Sequence, residues 1–232
     1  MIEHVAYGPL PDQFGEYVAG HDGRPLVVLI HGGFWRDQYR LDLMHPLRDD
    51  LAAAGYAVWN IEYRRVGPSG GGWDTTTADV AAAIDHAAGA GWARDGLAVV
   101  GHSAGGHLAL WNASRGDADR SPDLTVGQAP VADVIEANHH AVGRDATPNF
   151  VGGTVAEFPD RYDHVQPHVE AFQGRIVLIH GTADDNVPLW QSTNLDGRVD
   201  AVHVLHGVDH FQVINPDHRS WKLVCNELDR LN

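Results

Sequence analysis

Short apolar blocks alternate with stretches of helical spacing along this 232-residue chain. The run Pro25-Leu26-Val27-Val28-Leu29-Ile30 is continuously apolar, as a strand buried on both faces of a parallel sheet requires. Residues 56–61, 97–100, 176–179 and 201–205 read as further strands, and residues 124–126 as a weaker one. Residues 2–7 and 14–18 predict two short strands joined by a proline-containing turn. Leu47, Leu51 and Ala54 recur at helical spacing and Gly55 stops them. Thr76 with Asp79 has the form of a capping box opening an alanine-rich helix to about Ala88. Trp221, Val224, Leu228 and Leu231 mark one face of a last helix. Strands alternating with helices predict an α/β fold, a mostly parallel sheet flanked by helices, as a single domain over residues 1–232. Residues 133–173 lack clear periodicity, and a small cap would insert there.

Composition narrows the function classes. A formal net charge of -15 argues against nucleic acid, whose phosphates need a basic face, and equally against an anionic membrane surface. The single cysteine, Cys225, allows no internal disulfide and suits a reducing compartment. Residues 1–5 carry neither the basic nor the apolar segment of a secretory leader, and no run approaches ~20 apolar residues. A cytoplasmic location is expected, with a homodimer left open.

The chemistry centres on Val99-Val100-Gly101-His102-Ser103-Ala104-Gly105-Gly106, where a strand leads into Gly-x-Ser-x-Gly and an apolar helix follows. That context predicts a nucleophile elbow: Ser103 on a strained turn, with the amide of Ala104 aimed at the carbon under attack. A serine nucleophile needs a base and a carboxylate to orient it. Two loops after strands offer them in order: His180-Gly181-Thr182-Ala183-Asp184-Asp185-Asn186-Val187-Pro188, then His206-Gly207-Val208-Asp209-His210-Phe211. Asp184 and Asp185 are adjacent, so the residues alone leave the acid open.

Three motifs in this order resemble the α/β-hydrolase superfamily. The likeness runs from about Pro25 to Trp221. Within the superfamily it is to small esterases, to arylformamidases of the kynurenine formamidase type, and to the hydrolase domain of prolyl oligopeptidases. The resemblance implies Asp184 as the acid and His210 as the base. His31-Gly32-Gly33-Phe34-Trp35 is similar to the family's oxyanion loop, which implies that the amides of Gly33 and Phe34 join that of Ala104, with His31 bracing the loop.

The expected activity is hydrolysis of a small carboxylic ester through an acyl-enzyme. Alternatives are an arylformamidase cleaving N-formylkynurenine-like amides, a small peptidase, and a binding protein on the same scaffold. Ser103 argues against a dehalogenase, which needs aspartate there, and against a dienelactone-type hydrolase, which needs cysteine. No cofactor or metal is expected. His139-His140 lacks an accompanying metal motif, and the partner is a small-molecule substrate. Trp35, Trp73 and Phe211 either line a substrate pocket or belong to the core. His102 and His107 are expected to pack or hydrogen-bond locally, and Glu62-Tyr63-Arg64-Arg65 to form a structural ion-pair corner.

Overall fold

The computed structural model describes residues 1–116 and 121–231. Its eight strands are β1 (Ile2–Ala6), β2 (Phe14–Val18), β3 (Leu26–Ile30), β4 (Ala57–Ile61), β5 (Leu97–His102), β6 (Leu124–Gln128), β7 (Arg175–Gly181) and β8 (Ala201–Leu205). They form one sheet in the order β1-β2-β4-β3-β5-β6-β7-β8. Only the pairings of β2 with β1 and β4 are antiparallel. The remaining strands run parallel, as crossover connections demand.

Every residue of β3 is buried, which explains its unbroken apolar run. Alternate side chains go to opposite layers. Leu26, Val28 and Ile30 share a core with Val80, Ala83, Ile84 and Ala87 of α2 (Trp73–Gly89). Val27 and Leu29 face Leu47 and Leu51 of α1 (His45–Ala53), with Trp221, Val224 and Leu228 of the last helix. Gly55 follows α1 at φ 87°, a left-handed stop that glycine adopts without strain.

One local expectation is corrected. The helix α2 starts at Trp73, so Thr76 and Asp79 lie inside it and do not cap it. The Thr76 hydroxyl donates to the Arg64 carbonyl at 2.6 Å, and Asp79 takes two 2.7 Å bonds from the Arg64 guanidinium. Both residues therefore tie α2 to the loop after β4.

After β5 comes α3 (Ala104–Ala113). Residues 133–173 fold as three short helices, α4 (Val134–His139), α5 (Ala146–Val151) and α6 (Pro159–Val165), and a 3-10 turn. Each spans two turns or fewer, too short for an amphipathic period to register. The chain then passes through β7, α7 (Trp190–Thr193), β8 and α8 (Arg219–Leu228). Among the described residues no helix is long and apolar enough to cross a membrane.

The tightest packing lies where β3, β5 and α3 meet. A Cβ on Gly101 would stand 2.1 Å from the carbonyl oxygen of Gly105, and one on Gly105 2.1 Å from that of Ile30. These obstacles are backbone atoms, which cannot rotate aside. Gly105→Ala should therefore destabilise the fold by about 3 kcal/mol or more, read as a fall in the urea midpoint. An unchanged midpoint would show that the strand and helix can part.

Candidate active site

Ser103 occupies the turn between β5 and α3 at φ 56°, ψ -118°. This is a left-handed position that a side-chain-bearing residue holds only under constraint from its surroundings. Its amide donates to the Gln128 carbonyl at 2.9 Å, and its carbonyl accepts from His107 and Val131 at 3.0 and 3.2 Å. The backbone is thus pinned on three sides. Gly32 comes so close that a Cβ there would lie 2.9 Å from the Ser103 Cβ.

The loop after β3 keeps its shape through a run of positive φ: Gly33 at 113°, Phe34 at 52° and Trp35 at 57°. The amides of Gly33, Phe34 and Ala104 enter no turn or loop hydrogen bond among the described residues. Beneath the loop sits Glu62, fully buried. Its carboxylate lies 2.9 Å from His31 Nε2 and accepts from the Tyr63 amide (3.1 Å), the Leu41 amide (3.3 Å) and the Arg65 guanidinium. The Tyr63 ring stacks on His31 at 4.4 Å, and its hydroxyl donates to the His31 carbonyl at 2.8 Å. Burial pushes Glu62 up, but His31 and Arg65 outweigh it and hold the carboxyl below its ordinary range. His31 and the 62–65 corner therefore brace the loop.

Asp184 and His210 are directly bonded, Oδ2 to Nδ1, at 2.6 Å. A carboxylate accepts, so Nδ1 carries the proton and Nε2 is left bare to act as a base. The other Asp184 oxygen accepts the amides of Asn186 and Val187, both at 2.8 Å. The sequence reading passed over His180, whose Nε2 sits 3.2 Å from Asp184 Oδ2 while Nδ1 meets the Ser192 hydroxyl at 2.8 Å. Burial alone would raise Asp184, yet the bonds from His180 and His210 hold it far below the usual carboxylate range. Asp185 is exposed. Asp209 accepts the amides of Phe211 and Gln212 at 2.9 and 2.8 Å, which commits it to its own turn.

Ser103 and His210 line one cleft with Gly33, Phe34, Tyr39, Leu43, His102, Asn186 and Phe211, of about 40 Å³. The Ser103 hydroxyl makes no hydrogen bond to a described residue. Phe211, 52% exposed, stands at the mouth. Trp35 and Trp73 do not line the cleft. Trp35 is buried, stacked on Phe150 at 4.5 Å, and donates its indole N–H to His107 Nδ1 at 3.2 Å. Trp73 packs against His164 and Arg161. Tyr39 and Leu43 lie outside every motif of the sequence, and Asn186 is an unspecified position of the motif at residues 180–188, so no sequence signal marked the three as cleft residues.

His107 joins three parts of the site. It lies on α3, takes the Trp35 bond, and donates from Nε2 to the Val165 carbonyl at 2.7 Å. Complete burial lowers its pKa to about 4, so it stays neutral. The segment 133–173 thus rests on the loop after β3. Gly143 meets the Phe34 ring, and Phe150 meets Trp35, but no residue of the segment lines the cleft itself. Among the described residues no group of three or more His, Cys, Asp or Glu side chains could hold a metal ion.

Two outcomes follow from these networks. Glu62→Ala leaves Arg65 buried without its nearest partner, and should cost about 3 kcal/mol of stability, measured by urea unfolding. Asp184, depressed in the folded state, contributes stability that is present above the ordinary carboxylate range and lost as pH falls toward its folded value. Urea midpoints should therefore drop between about pH 5 and 3 in the native protein, and drop less in Asp184→Asn. Parallel acid profiles would contradict the clamp.

Similar folds occur among solved structures. Esterase B from Lactobacillus rhamnosis superposes with a TM-score of 0.81 at 20% identity, covering 100% of this chain and 85% of its own. A truncated carbohydrate esterase from gut microbiota gives 0.80 at 20% identity, covering 98% and 94%. A bifunctional GH43-CE protein of Bacteroides eggerthii gives 0.80 at 19% identity over 98% of this chain, which spans 37% of that protein's length. No curated protein is matched. At these identities the likeness establishes the α/β-hydrolase fold. The profile of the BD-FAE family matches residues 17–199, most of the chain, and the protein belongs to that family.

Proposed function

We propose that this protein is a serine esterase that hydrolyses small carboxylic esters through an acyl-enzyme. The observation that carries the reading is the 2.6 Å Asp184–His210 bond beside a cleft that also holds Ser103 at φ 56°. Ser103 Oγ attacks the ester carbonyl and His210 Nε2 takes its proton. Asp184 keeps the ring in the required tautomer and stabilises the imidazolium. The amides of Gly33, Phe34 and Ala104 receive the oxyanion, Ala104 at the positive end of α3. His210 returns the proton to the departing alcohol, then activates the water that releases the acid.

The likeness to proteins named as esterases supports the ester over the amide. The cleft of about 40 Å³ favours a short acyl group. The tryptophan of the oxyanion motif gives no support to an aromatic formamide, because Trp35 is packed away in the core.

The test compares kcat/KM for p-nitrophenyl acetate, p-nitrophenyl octanoate and N-formylkynurenine, with Ser103→Ala as control. The acetate ester should be the best substrate, and Ser103→Ala should lose about 10⁴-fold or more in kcat while remaining folded. Preference for N-formylkynurenine by orders of magnitude would replace the ester reading with the formamidase one. Undiminished turnover in Ser103→Ala would remove the serine mechanism.

A further inference from the structure

The residue between Gly101 and the nucleophile does something the elbow motif does not require. His102 is buried, and its Nε2 lies 2.9 Å from the carbonyl oxygen of His210, 108 residues further along the chain. A carbonyl only accepts, so Nε2 carries the proton and donates. Nδ1 is therefore bare, and it is buried without a hydrogen-bond partner. The oxyanion loop closes over it, since a Cβ on Gly32 would stand 3.0 Å from that nitrogen. An unpaired buried ring nitrogen is unfavourable, and an aliphatic side chain would fill the space without it. The one bond this ring makes goes to the backbone of the residue proposed as base.

That bond answers a mechanical need. His210 leaves the loop after β8, an edge strand, whereas Ser103 ends β5, with β6 and β7 between them. Asp184 holds the His210 ring at Nδ1 alone, and a ring held at one atom can pivot. The His102 ring, centred 4.6 Å from the His210 ring, connects the base's main chain to the strand that carries the nucleophile.

We propose that His102 is a positioning residue for the ester hydrolysis described above: its Nε2–H···O=C bond straps the His210 backbone to the end of β5 and sets the distance between nucleophile and base. The inference rests on the Ser103–His210 reading. The groups that act on the His102 ring are His210, Asp184 and His31. Burial first, and His210 second, lower its pKa to about 3, so the donating tautomer persists wherever an imidazole base works. A neutral ring also places no second positive charge beside the imidazolium that His210 becomes during the reaction.

The experiment uses the full chain and p-nitrophenyl acetate. His102→Leu removes the donor, and His102→Gln restores an N–H near the position of Nε2. Folding is checked by circular dichroism and the urea midpoint, and nucleophile competence by the labelling rate of Ser103 with a fluorophosphonate. His102→Leu should lose about 10- to 100-fold in kcat, with KM within about two-fold and labelling slowed in parallel. His102→Gln should recover most of both. Should the leucine variant not fold, His102→Asn takes its place: its amide is too short to reach the carbonyl, and it must show the same loss. A donor-free variant with kcat close to wild type, or a glutamine variant as slow as the leucine one at equal folded fraction, overturns the strap. Ser103→Ala in the same assay separates the two readings. If it hydrolyses the ester as fast as wild type, the serine mechanism itself fails and the strap falls with it.

Discussion

The site depends on one steric constraint: the backbones of β3, β5 and α3 approach too closely for any side chain at Gly101 or Gly105. That approach lets the chain reverse within a single residue, and Ser103 takes up the strained conformation that results. Here the amide and carbonyl of Ser103 are bonded to Gln128, His107 and Val131, so the first turn of α3 and the end of β6 with the residues after it hold the turn in place. Strain at a functional position persists only where the surroundings over-determine it. The parallel sheet supplies those surroundings because its strands end side by side at one edge.

Electrostatics organises the rest of the site around two buried carboxylates and five histidines. Asp184 is surrounded by donors: two backbone amides, His180 and His210. Glu62 stands in the same relation to His31, Arg65 and two amides under the loop after β3. A buried charge is tolerable only when paired and hydrogen-bonded, and both are. The buried His102 and His107 follow the opposite logic. Each is kept neutral by burial and used as a directional connector, His107 between α3, Trp35 and the inserted segment, His102 between the strand of Ser103 and the loop of His210. Histidine suits both tasks, because one ring offers a donor and an acceptor on opposite sides.

The inserted helices α4 to α6 act on the cleft indirectly. They contact the far sides of Phe34 and Trp35, so the insertion supports the wall of the cleft without forming its lining. The cleft walls come instead from Tyr39 and Leu43 after the loop of residues 33–35, and from Asn186 and Phe211 beside Asp184 and His210. Tyr39 lies so close to Gly33 that a Cβ there would come within 2.4 Å of the Tyr39 Cβ and 2.6 Å of its ring, so the loop's glycine and the cleft's aromatic wall are one packing unit.

Local pattern determined a good deal. Continuous apolar runs announced the parallel strands, because a strand buried on both faces must be apolar throughout. Gly-x-Ser-x-Gly between a strand and a helix announced the turn at Ser103, because backbone crowding leaves glycine the only residue for the flanking positions. The order of the motifs separated Asp184 from Asp185 only through resemblance, whereas the fold separates them physically: one carboxylate is enclosed by donors and the other faces solvent. Tertiary structure alone decided what lies across the sheet from what. Nothing in residues 76–79 says that Thr76 and Asp79 will bind Arg64 and not cap a helix. Nor do residues 31–35 say that Trp35 turns into the core while Phe34 faces the cleft. His102 and His210 carry no mutual signal across 108 positions. Such contacts depend on which strands become neighbours, a property of the folded sheet and not of any window of sequence.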